Sequence, residues 1–346
     1  MTKQVATAIP VWPGRLALLL ALMTFPLIWV GGLVTTTKSG MAVPDWPQTY
    51  NHNMFTYPME RWLGDNFALF IEHFHRLLAS SVGMVTILLL ISTFRKSVPV
   101  WARQLSVVAL LLVISQGILG GMRVLLDQRT FAMFHGCLGP FFFAYVCALV
   151  YLFRPSVLVA GDTDSLQENK ALASPSLSLR RKWLAGALVM LAGPYVQLCI
   201  GAFLRHVPLN VRADVFGMVV LLHVVLALTL LVQSLLFFGG SVMAKRQGIA
   251  TWVGVSGVVA MLMVAQVAAG AGTYVLKYGF PAWLDSFPSV ARFVVEERST
   301  VQTGVVTFHV ANGSLIVGLS AVVAAQVWRF WNKLSPAPAL SLGGAA

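Results

Sequence analysis

The stretch Phe70–Ala79 constrains this chain more than any other, because it puts ionisable side chains into a long apolar segment. Glu72, His75 and Arg76 fall within about one helical turn of each other, at a depth where lipid is expected. Ionisable groups cost several kcal/mol inside a bilayer and persist there mainly where they have a function. If His75 binds a ligand, the chain must supply partner histidines at the same depth.

Composition sets the class of protein. The 346 residues are 58% hydrophobic and 10% charged, whereas soluble domains carry about 25% charged residues. The net charge of +12 does not indicate nucleic-acid binding, because the basic residues lie between apolar runs rather than along one soluble face. Cys137, Cys147 and Cys199 all lie in apolar runs, which excludes a disulfide-bonded loop framework. The chain is therefore predicted to be a polytopic membrane protein.

Eight segments are long enough to cross about 30 Å of hydrocarbon as helices. We place them near 15–35, 66–92, 104–124, 128–153, 183–204, 215–238, 250–275 and 300–328. The predicted inner connections are rich in Lys and Arg, and their only acids are Asp162, Asp164 and Glu168. The positive-inside rule therefore places both termini in the cytoplasm. The first residues show no transit or cleavage pattern, which favours a bacterial inner membrane.

A polar connection, 155–182, is predicted to be a linker between an N-terminal half, 1–154, and a C-terminal half, 183–346. The halves repeat each other. Three odd-numbered helices carry Gln-x-x-x-Gly, and the first helix is matched to them through Ile28 and Gly32. The three pairs are Gln116/Gly120, Gln197/Gly201 and Gln266/Gly270. The predicted fold class is all-α integral membrane, with two pseudo-symmetric four-helix bundles.

The even-numbered helices carry one intramembrane histidine each, eight to ten residues after a polar residue suited to capping. The histidines are His75, His135, His223 and His309, and the expected caps are Asp65, Asp127, Asp214 and Ser299. At 1.5 Å per residue, each imidazole lies roughly 12–15 Å below the outer end of its helix. All four helices run from outside to inside, so the four imidazoles are expected at one level.

Two histidines in each four-helix half favour the binding of haem through two imidazoles. Zinc or copper would usually need a further protein ligand, and Cys137 faces away from His135. For any single histidine, a packing role is the alternative. His73 is expected to be structural, and His52 and His206 are expected at the surface.

Glu72 lies on the same helical face as His75, so it is a candidate catalytic acid or base, or an electrostatic stabiliser of positive charge on a substrate. The alternative is an ion pair with Arg76 that only lowers the cost of insertion. Val220 stands at the matching place before His223, so the halves differ chemically. That asymmetry predicts one structural or electron-transfer haem and one reacting haem. Four arginines near the outer helix ends are expected to pair with haem propionates or to reach lipid headgroups, namely Arg76, Arg123, Arg205 and Arg212.

With these residues in view, the chain resembles the haem A synthase family over about residues 16–328. The resemblance rests on five features: Gly31–Thr35 with Ser39-Gly40, Asp45-Trp46-Pro47, Glu72-x-x-His75-Arg76, Gln116–Gly121, and the later histidines His135, His223 and His309. Many bacterial members carry a cysteine pair in the first outer loop, and residues 36–65 have none. The loop's Gly, Pro and Asp content instead predicts a shaped loop that could form a lid.

The resemblance implies an enzyme that oxidises a ring methyl of haem O to a formyl group, giving haem A for cytochrome oxidase. It implies a haem b cofactor held by His223 and His309, substrate haem O held by His75 and His135, and an essential Glu72. Expected partners are the bilayer and a haem O synthase upstream, with no nucleic acid. The resemblance names no electron acceptor. A homo-oligomer is compatible with the sequence. The rival functions are a b-type cytochrome with two haems that only transfers electrons, and a haem transporter or assembly factor.

Overall fold

The computed structural model consists of eight long helices joined by loops. It describes residues 11–64, 66–158, 177–207, 210–247, 251–281, 284, 286–287, 290 and 292–334. The long helices are α1 (Trp12–Thr36), α2 (Phe67–Ser92), α3 (Val100–Leu126), α4 (Arg129–Leu152), α5 (Leu177–Arg205), α6 (Ala213–Arg246), α7 (Val253–Tyr278) and α8 (Thr300–Leu334). All eight are long and apolar enough to cross a membrane. The predicted all-α fold with eight spans is confirmed.

Three helices extend six or more residues further at their predicted inner ends than the apolar pattern indicates. Helix α5 begins at Leu177 rather than at 183, α6 continues to Arg246 rather than ending at 238, and α8 continues to Leu334 rather than ending at 328. Each added stretch contains basic residues, which are typical of the inner boundary of a membrane. Residues 159–176 of the predicted linker lie outside the described residues.

The helix starts differ from the predicted caps. Asn66 caps α2, since its Oδ1 accepts a hydrogen bond from the backbone N–H of Leu69 at 3.2 Å, and Asp65 lies outside the described residues. Asp127 ends α3 in the left-handed conformation, and Asp214 lies inside α6. Those two predictions are wrong, because Gln128 and Arg212 occupy the N-cap positions of α4 and α6. Ser299 does cap α8, accepting from Gln302 N–H at 3.2 Å.

The packing order of the helices is compatible with two pseudo-symmetric halves. In each half the first helix packs on the second and fourth, and the third packs on both as well. Helices α4 and α8 meet at the centre of the protein, α1 also packs on α8, and α5 also packs on α4. These contacts exchange with each other if the halves are exchanged.

The centre of the protein depends on a close approach between α4 and α8. Ala144, Val317 and Ala321 form a small buried cluster there. A Cβ on Gly318 would lie 2.6 Å from Phe143 Cε1 and 3.0 Å from Cys147 Sγ. Since the hydrophobic effect does not drive helices together within lipid, such small residues set how closely they pack.

We predict that Gly318→Ala lowers the thermal stability of the detergent-solubilised protein, because overpacking typically costs about 1–3 kcal/mol. Gly304→Ala on the same helix is the matched control, since a Cβ there meets no atom within 4 Å. Equal melting temperatures for the two variants would show that the α4–α8 approach is not tight.

Candidate functional site

The four intramembrane histidines form two pairs, one in each half. The ring centroids of His75 and His135 lie 6.5 Å apart with planes inclined at 79°. Those of His223 and His309 also lie 6.5 Å apart, at 69°. The structure therefore brings each pair together from the second and fourth helices of its half, and gives the two pairs the same spacing.

Each imidazole lies against a glycine of the preceding helix. A Cβ on Gly120 would lie 3.2 Å from His135 Cε1, and on Gly201 and Gly270 it would lie 3.1 Å from the Cε1 atoms of His223 and His309. Any larger side chain would displace the ring.

In the first helix the matching glycine is Gly31, not Gly32. A Cβ on Gly31 would lie 2.9 Å from His75 Cε1, whereas one on Gly32 would lie 3.2 Å from Thr307 Cγ2 on α8. The predicted match through Ile28 and Gly32 is therefore wrong by one residue, and Leu27 holds the place of the glutamines. The motif Gly31-Gly32 misled the alignment because both glycines are used, on different faces of α1.

Three glutamines attach the histidine-bearing helices to their neighbours. Gln116 Nε2 donates to the backbone carbonyl of His135 at 3.2 Å, Gln197 Nε2 to that of His223 at 2.7 Å, and Gln266 Nε2 to that of His309 at 3.0 Å. We call this hydrogen bond the amide anchor. Leu27 has no amide to offer, so the anchor is absent at His75.

The two pairs fit the binding of a haem between their imidazoles. Metal–imidazole bonds of about 2 Å on opposite sides of one ion put the ring centroids roughly 6 Å apart. All four imidazoles are only half-buried, so part of each ring is left for a ligand. Across the described residues, no group of three or more His, Cys, Asp or Glu side chains is arranged to hold a metal ion.

Glu72 and Arg76 form a buried ion pair that holds the first outer loop. Arg76 Nη2 lies 3.0 Å from Glu72 Oε1, and the two side chains are 9% and 4% exposed. Glu72 Oε2 accepts the backbone N–H of Val43 at 3.0 Å. The guanidinium also donates to the carbonyls of Val43 at 2.8 Å, Asp45 at 2.6 Å and Gln48 at 2.9 Å. Arg76 thus neither reaches the headgroups nor points freely into the bundle.

The loop has its own internal supports. Tyr50 and Asn51 both have positive φ, a region that non-glycine residues rarely adopt. The Asp45 carboxylate accepts the N–H groups of Tyr50 at 2.9 Å and Asn51 at 2.7 Å. Burial alone would raise the pKa of Asp45, but these hydrogen bonds and the charge of Arg76 lower it overall. The loop is therefore a shaped structure, as its composition predicts.

The loop covers the outer end of the N-terminal half. The indole of Trp46 lies directly on Gly121, where a Cβ would be 2.5 Å from the ring. Arg123 lies under Gly40, whose carbonyl accepts from its Nη2 at 3.4 Å. Buried Thr49 faces His73, Oγ1 to Nδ1, at 3.2 Å. His73 is fully buried and packs against Trp62, which fits its expected structural role.

The remaining arginines lie at different places on the outer side. Arg205 crosses between the halves, since its Nη2 donates to Gly32 O at 2.9 Å and to Thr36 Oγ1 at 2.7 Å on α1. Arg212 forms an exposed ion pair with Asp214 at 2.6 Å. Of the four arginines named from the sequence, Arg123 and Arg205 are therefore the two that are neither bound into the Glu72 pair nor exposed in an ion pair.

His206 is not the surface residue that the sequence predicts, because it is half-buried beside a concentration of positive charge. Burial, together with the charges of Arg205, Arg123, Arg129 and Lys277, lowers its pKa to about 4. His206 is therefore neutral at pH 7. His52 is exposed, as predicted.

Sequence reasoning missed the backbone groups that Arg76 and Glu72 bind. Carbonyl oxygens of Val43, Asp45 and Gln48 carry no side-chain signal. The only hint was the rigid Val43-Pro-Asp-Trp-Pro47 segment, which favours a fixed turn.

The fold and the two histidine pairs define a class, the helical membrane proteins with two bis-histidine sites inside one chain. Comparison with known proteins then identifies the family. The family model of the cytochrome oxidase assembly proteins matches residues 14–207, and the chain belongs to that family. The matched region includes α1 to α5, with both histidines of the N-terminal pair and the first outer loop. None of the curated proteins matches the chain.

We predict that Arg76→Lys increases amide hydrogen exchange at residues 43–51 in nanodiscs by about tenfold or more. Lysine cannot replace the forked donors that bind three carbonyls, and a hydrogen bond to a charged group contributes about 1.5–3 kcal/mol. Arg212→Lys, in an exposed pair, serves as the control and should change nothing in this loop. Unchanged exchange in Arg76→Lys would show that the loop holds its shape without the guanidinium.

Proposed function

We propose that this protein is a haem A synthase, which oxidises a ring methyl of haem O to the formyl group of haem A. The observation that carries the proposal is the presence of two equally spaced imidazole pairs of which only one has a buried carboxylate one helical turn away. Membership of the cytochrome oxidase assembly family supports a haem-related substrate. Such a reaction makes the protein an oxidoreductase.

In this proposal the two halves have different tasks. His223 and His309 bind the resident haem b, and His75 and His135 bind haem O. When bound, the haem groups supply the redox chemistry. The side chains of this chain hold the two macrocycles at one depth, fix their orientation and keep bulk water away through the loop above the N-terminal half.

The assignment of the halves follows from their differences. Among the described residues, only the N-terminal half has an acid beside a histidine of its pair, since Val220 stands at the matching place in the other half. An acid has a task at a substrate site, whereas an electron-transfer site needs none.

Glu72 acts in this proposal as a fixed negative charge. One carboxylate oxygen accepts from Arg76 and the other from Val43 N–H, so both are already occupied by donors. Electrostatic stabilisation of positive charge on the substrate carbon, together with support of the loop, therefore suits it better than proton abstraction.

Arg123 and Arg205 are the proposed partners for haem carboxylates. Both lie at the outer ends of helices beside the seam between the halves, and each uses only Nη2 in a hydrogen bond with a protein group among the described contacts. Their other guanidinium donors are available for a carboxylate.

A second function, electron transfer by a b-type cytochrome, is favoured by one observation. The two pairs have the same 6.5 Å separation, as expected if both hold the same kind of haem permanently. That function leaves the single carboxylate without a task, and the conversion assay separates the two. A haem transporter or assembly factor would likewise not need Glu72.

The proposed setting is the bacterial inner membrane, with both termini in the cytoplasm and the histidine pairs nearer the outer face. Haem O, made by a haem O synthase, would reach the N-terminal pair from the lipid. The basic inner ends of α5 and α6 support this orientation.

We predict that bacteria expressing this chain with a haem O synthase accumulate haem A or its hydroxylated intermediate. Extracted haems would be separated by chromatography and identified by mass. Cells with the synthase alone provide the control. If the protein is present and loaded with haem but neither product forms, the hypothesis that it is a haem A synthase is wrong.

We further predict that Glu72→Ala keeps the absorption spectrum of bound haem b but forms no product, whereas His223→Ala loses that spectrum. Removing Glu72 leaves the C-terminal pair intact, and removing His223 takes away one of its two ligands. Glu60→Ala, an exposed acid in the same outer region, is the control for charge alone. Full turnover in Glu72→Ala would show that Glu72 only pairs with Arg76 and lowers the cost of inserting the helix into the membrane.

A further inference from the structure

The four histidine positions repeat one another except at His75. Each of the other three has its backbone carbonyl bound by the amide of a glutamine on the preceding helix, at 2.7 to 3.2 Å. Gly31 is the glycine that contacts the His75 ring. The residue four places before it, where the other helices have glutamine, is Leu27. The missing amide anchor is thus a defined exception to a threefold pattern.

The amide anchor joins two helices at the level of the imidazole. A histidine carbonyl inside a helix already accepts from the N–H four residues later, and the glutamine adds a second donor from the neighbouring helix. At two positions a glycine stands beside the amide, since Cβ atoms on Gly139 and Gly313 would lie 2.8 and 3.0 Å from Gln116 Nε2 and Gln266 Nε2. This bond therefore limits any separation of the helices beside the histidine.

One anchor is itself held in place. Asn312 on α8 donates through Nδ2 to Gln266 Oε1 at 2.8 Å and to the carbonyl of Leu262 at 3.0 Å. His309 thus has a supported anchor, and it belongs to the pair assigned above to the permanent cofactor. His135 has a further contact, since its Nδ1 lies 3.2 Å from the carbonyl of Gln116.

Helix α2 is instead tied to the outer loop. Glu72 and Arg76, on either side of His75 in sequence, bind backbone groups of residues 43–48. These side-chain contacts of α2 therefore lead to the loop that covers this half. Towards α1, the imidazole of His75 packs on Gly31 and faces the backbone carbonyl of Leu27, but among the described contacts no side-chain amide of α1 binds the His75 carbonyl.

We propose that Leu27 makes His75 the exchangeable axial ligand of the N-terminal site, so that a haem enters and leaves by separation of His75 while His135 stays in place. The inference rests on the proposed function, in which this half must admit haem O and release haem A. The other half has both anchors and retains its haem. Leu27 acts here as a positioning residue, because its apolar side chain cannot form the amide anchor that would hold the His75 backbone.

The test restores the missing anchor. Purified full-length protein loaded with haem b is mixed with excess apomyoglobin, and haem transfer is followed by absorbance. We expect two phases, the faster from the N-terminal half. Leu27→Gln should slow the fast phase about fivefold, the effect of one added net hydrogen bond, and leave the slow phase unchanged.

Two matched variants remove an anchor by the reverse change. Gln116→Leu should accelerate the fast phase only, and Gln197→Leu should accelerate the slow phase only. Gln116→Leu also keeps the inference testable if Leu27→Gln fails to insert. Carbon monoxide binding to the reduced protein gives a second readout, because it requires an axial histidine to leave, and it should be slower in Leu27→Gln.

The inference is overturned if Leu27→Gln leaves the fast phase and carbon monoxide binding unchanged, or if it slows both phases equally. Gln116→Leu without effect on haem release would also overturn it. Because the readout is haem release rather than turnover, these results are distinct from a failure to convert haem O, which would reject the proposed function alone.

Discussion

The contact between an imidazole and a glycine on the preceding helix is the interaction on which the rest of this structure depends. It occurs four times, and a Cβ atom added at each glycine would lie 2.9 to 3.2 Å from the Cε1 atom of the histidine. In a bilayer, helices do not associate by burying apolar surface, so small residues and specific hydrogen bonds decide where they touch. Each glycine lets a helix approach its neighbour until the ring is fixed between them, and the glutamine amides then add polar links at three of the four contacts.

Two halves built on the same contact have acquired different chemistry at their outer ends. The N-terminal half has Glu72, Arg76 and a long loop whose backbone they bind, whereas the C-terminal half has Val220 at the place of Glu72 and an exposed ion pair between Arg212 and Asp214. The cost of the buried charges is met by the hydrogen bond within the Glu72–Arg76 pair and by four hydrogen bonds between the pair and the loop backbone. The carboxylate is therefore part of the loop's support as well as the proposed contributor to the reaction. Arg205 then connects the halves by binding the end of α1 from the end of α5.

Much of this arrangement follows from sequence periodicity, and the failures are equally informative. The eight spans, the position of one histidine in each even helix and the structural role of His73 were predictable because they depend on local spacing along a helix. The match of α1 to the other odd helices failed by one residue, since Gly31 and Gly32 are adjacent and α1 has no glutamine to set the register. His206 was misjudged because its surroundings come from four different segments. The contacts of Arg76 were not predictable, because they go to backbone carbonyls.

The sequence by itself determined that the chain has eight helices able to span a membrane, that four histidines recur at a similar spacing from the starts of the even-numbered helices and that Glu72 has no acidic counterpart at Val220. Hydrophobicity and helical spacing are local properties, so they need no knowledge of neighbours. Only the tertiary structure decided that the histidines pair at 6.5 Å within each half and that Glu72 is bound to Arg76 and Val43. It also decided that His75 lacks the amide anchor present at the other three histidines. Those facts depend on which helices lie side by side and on their register to within one residue. The partners of a side chain across a helix interface are fixed by the packing of the two helices, and the spacing of residues along one helix does not reveal them.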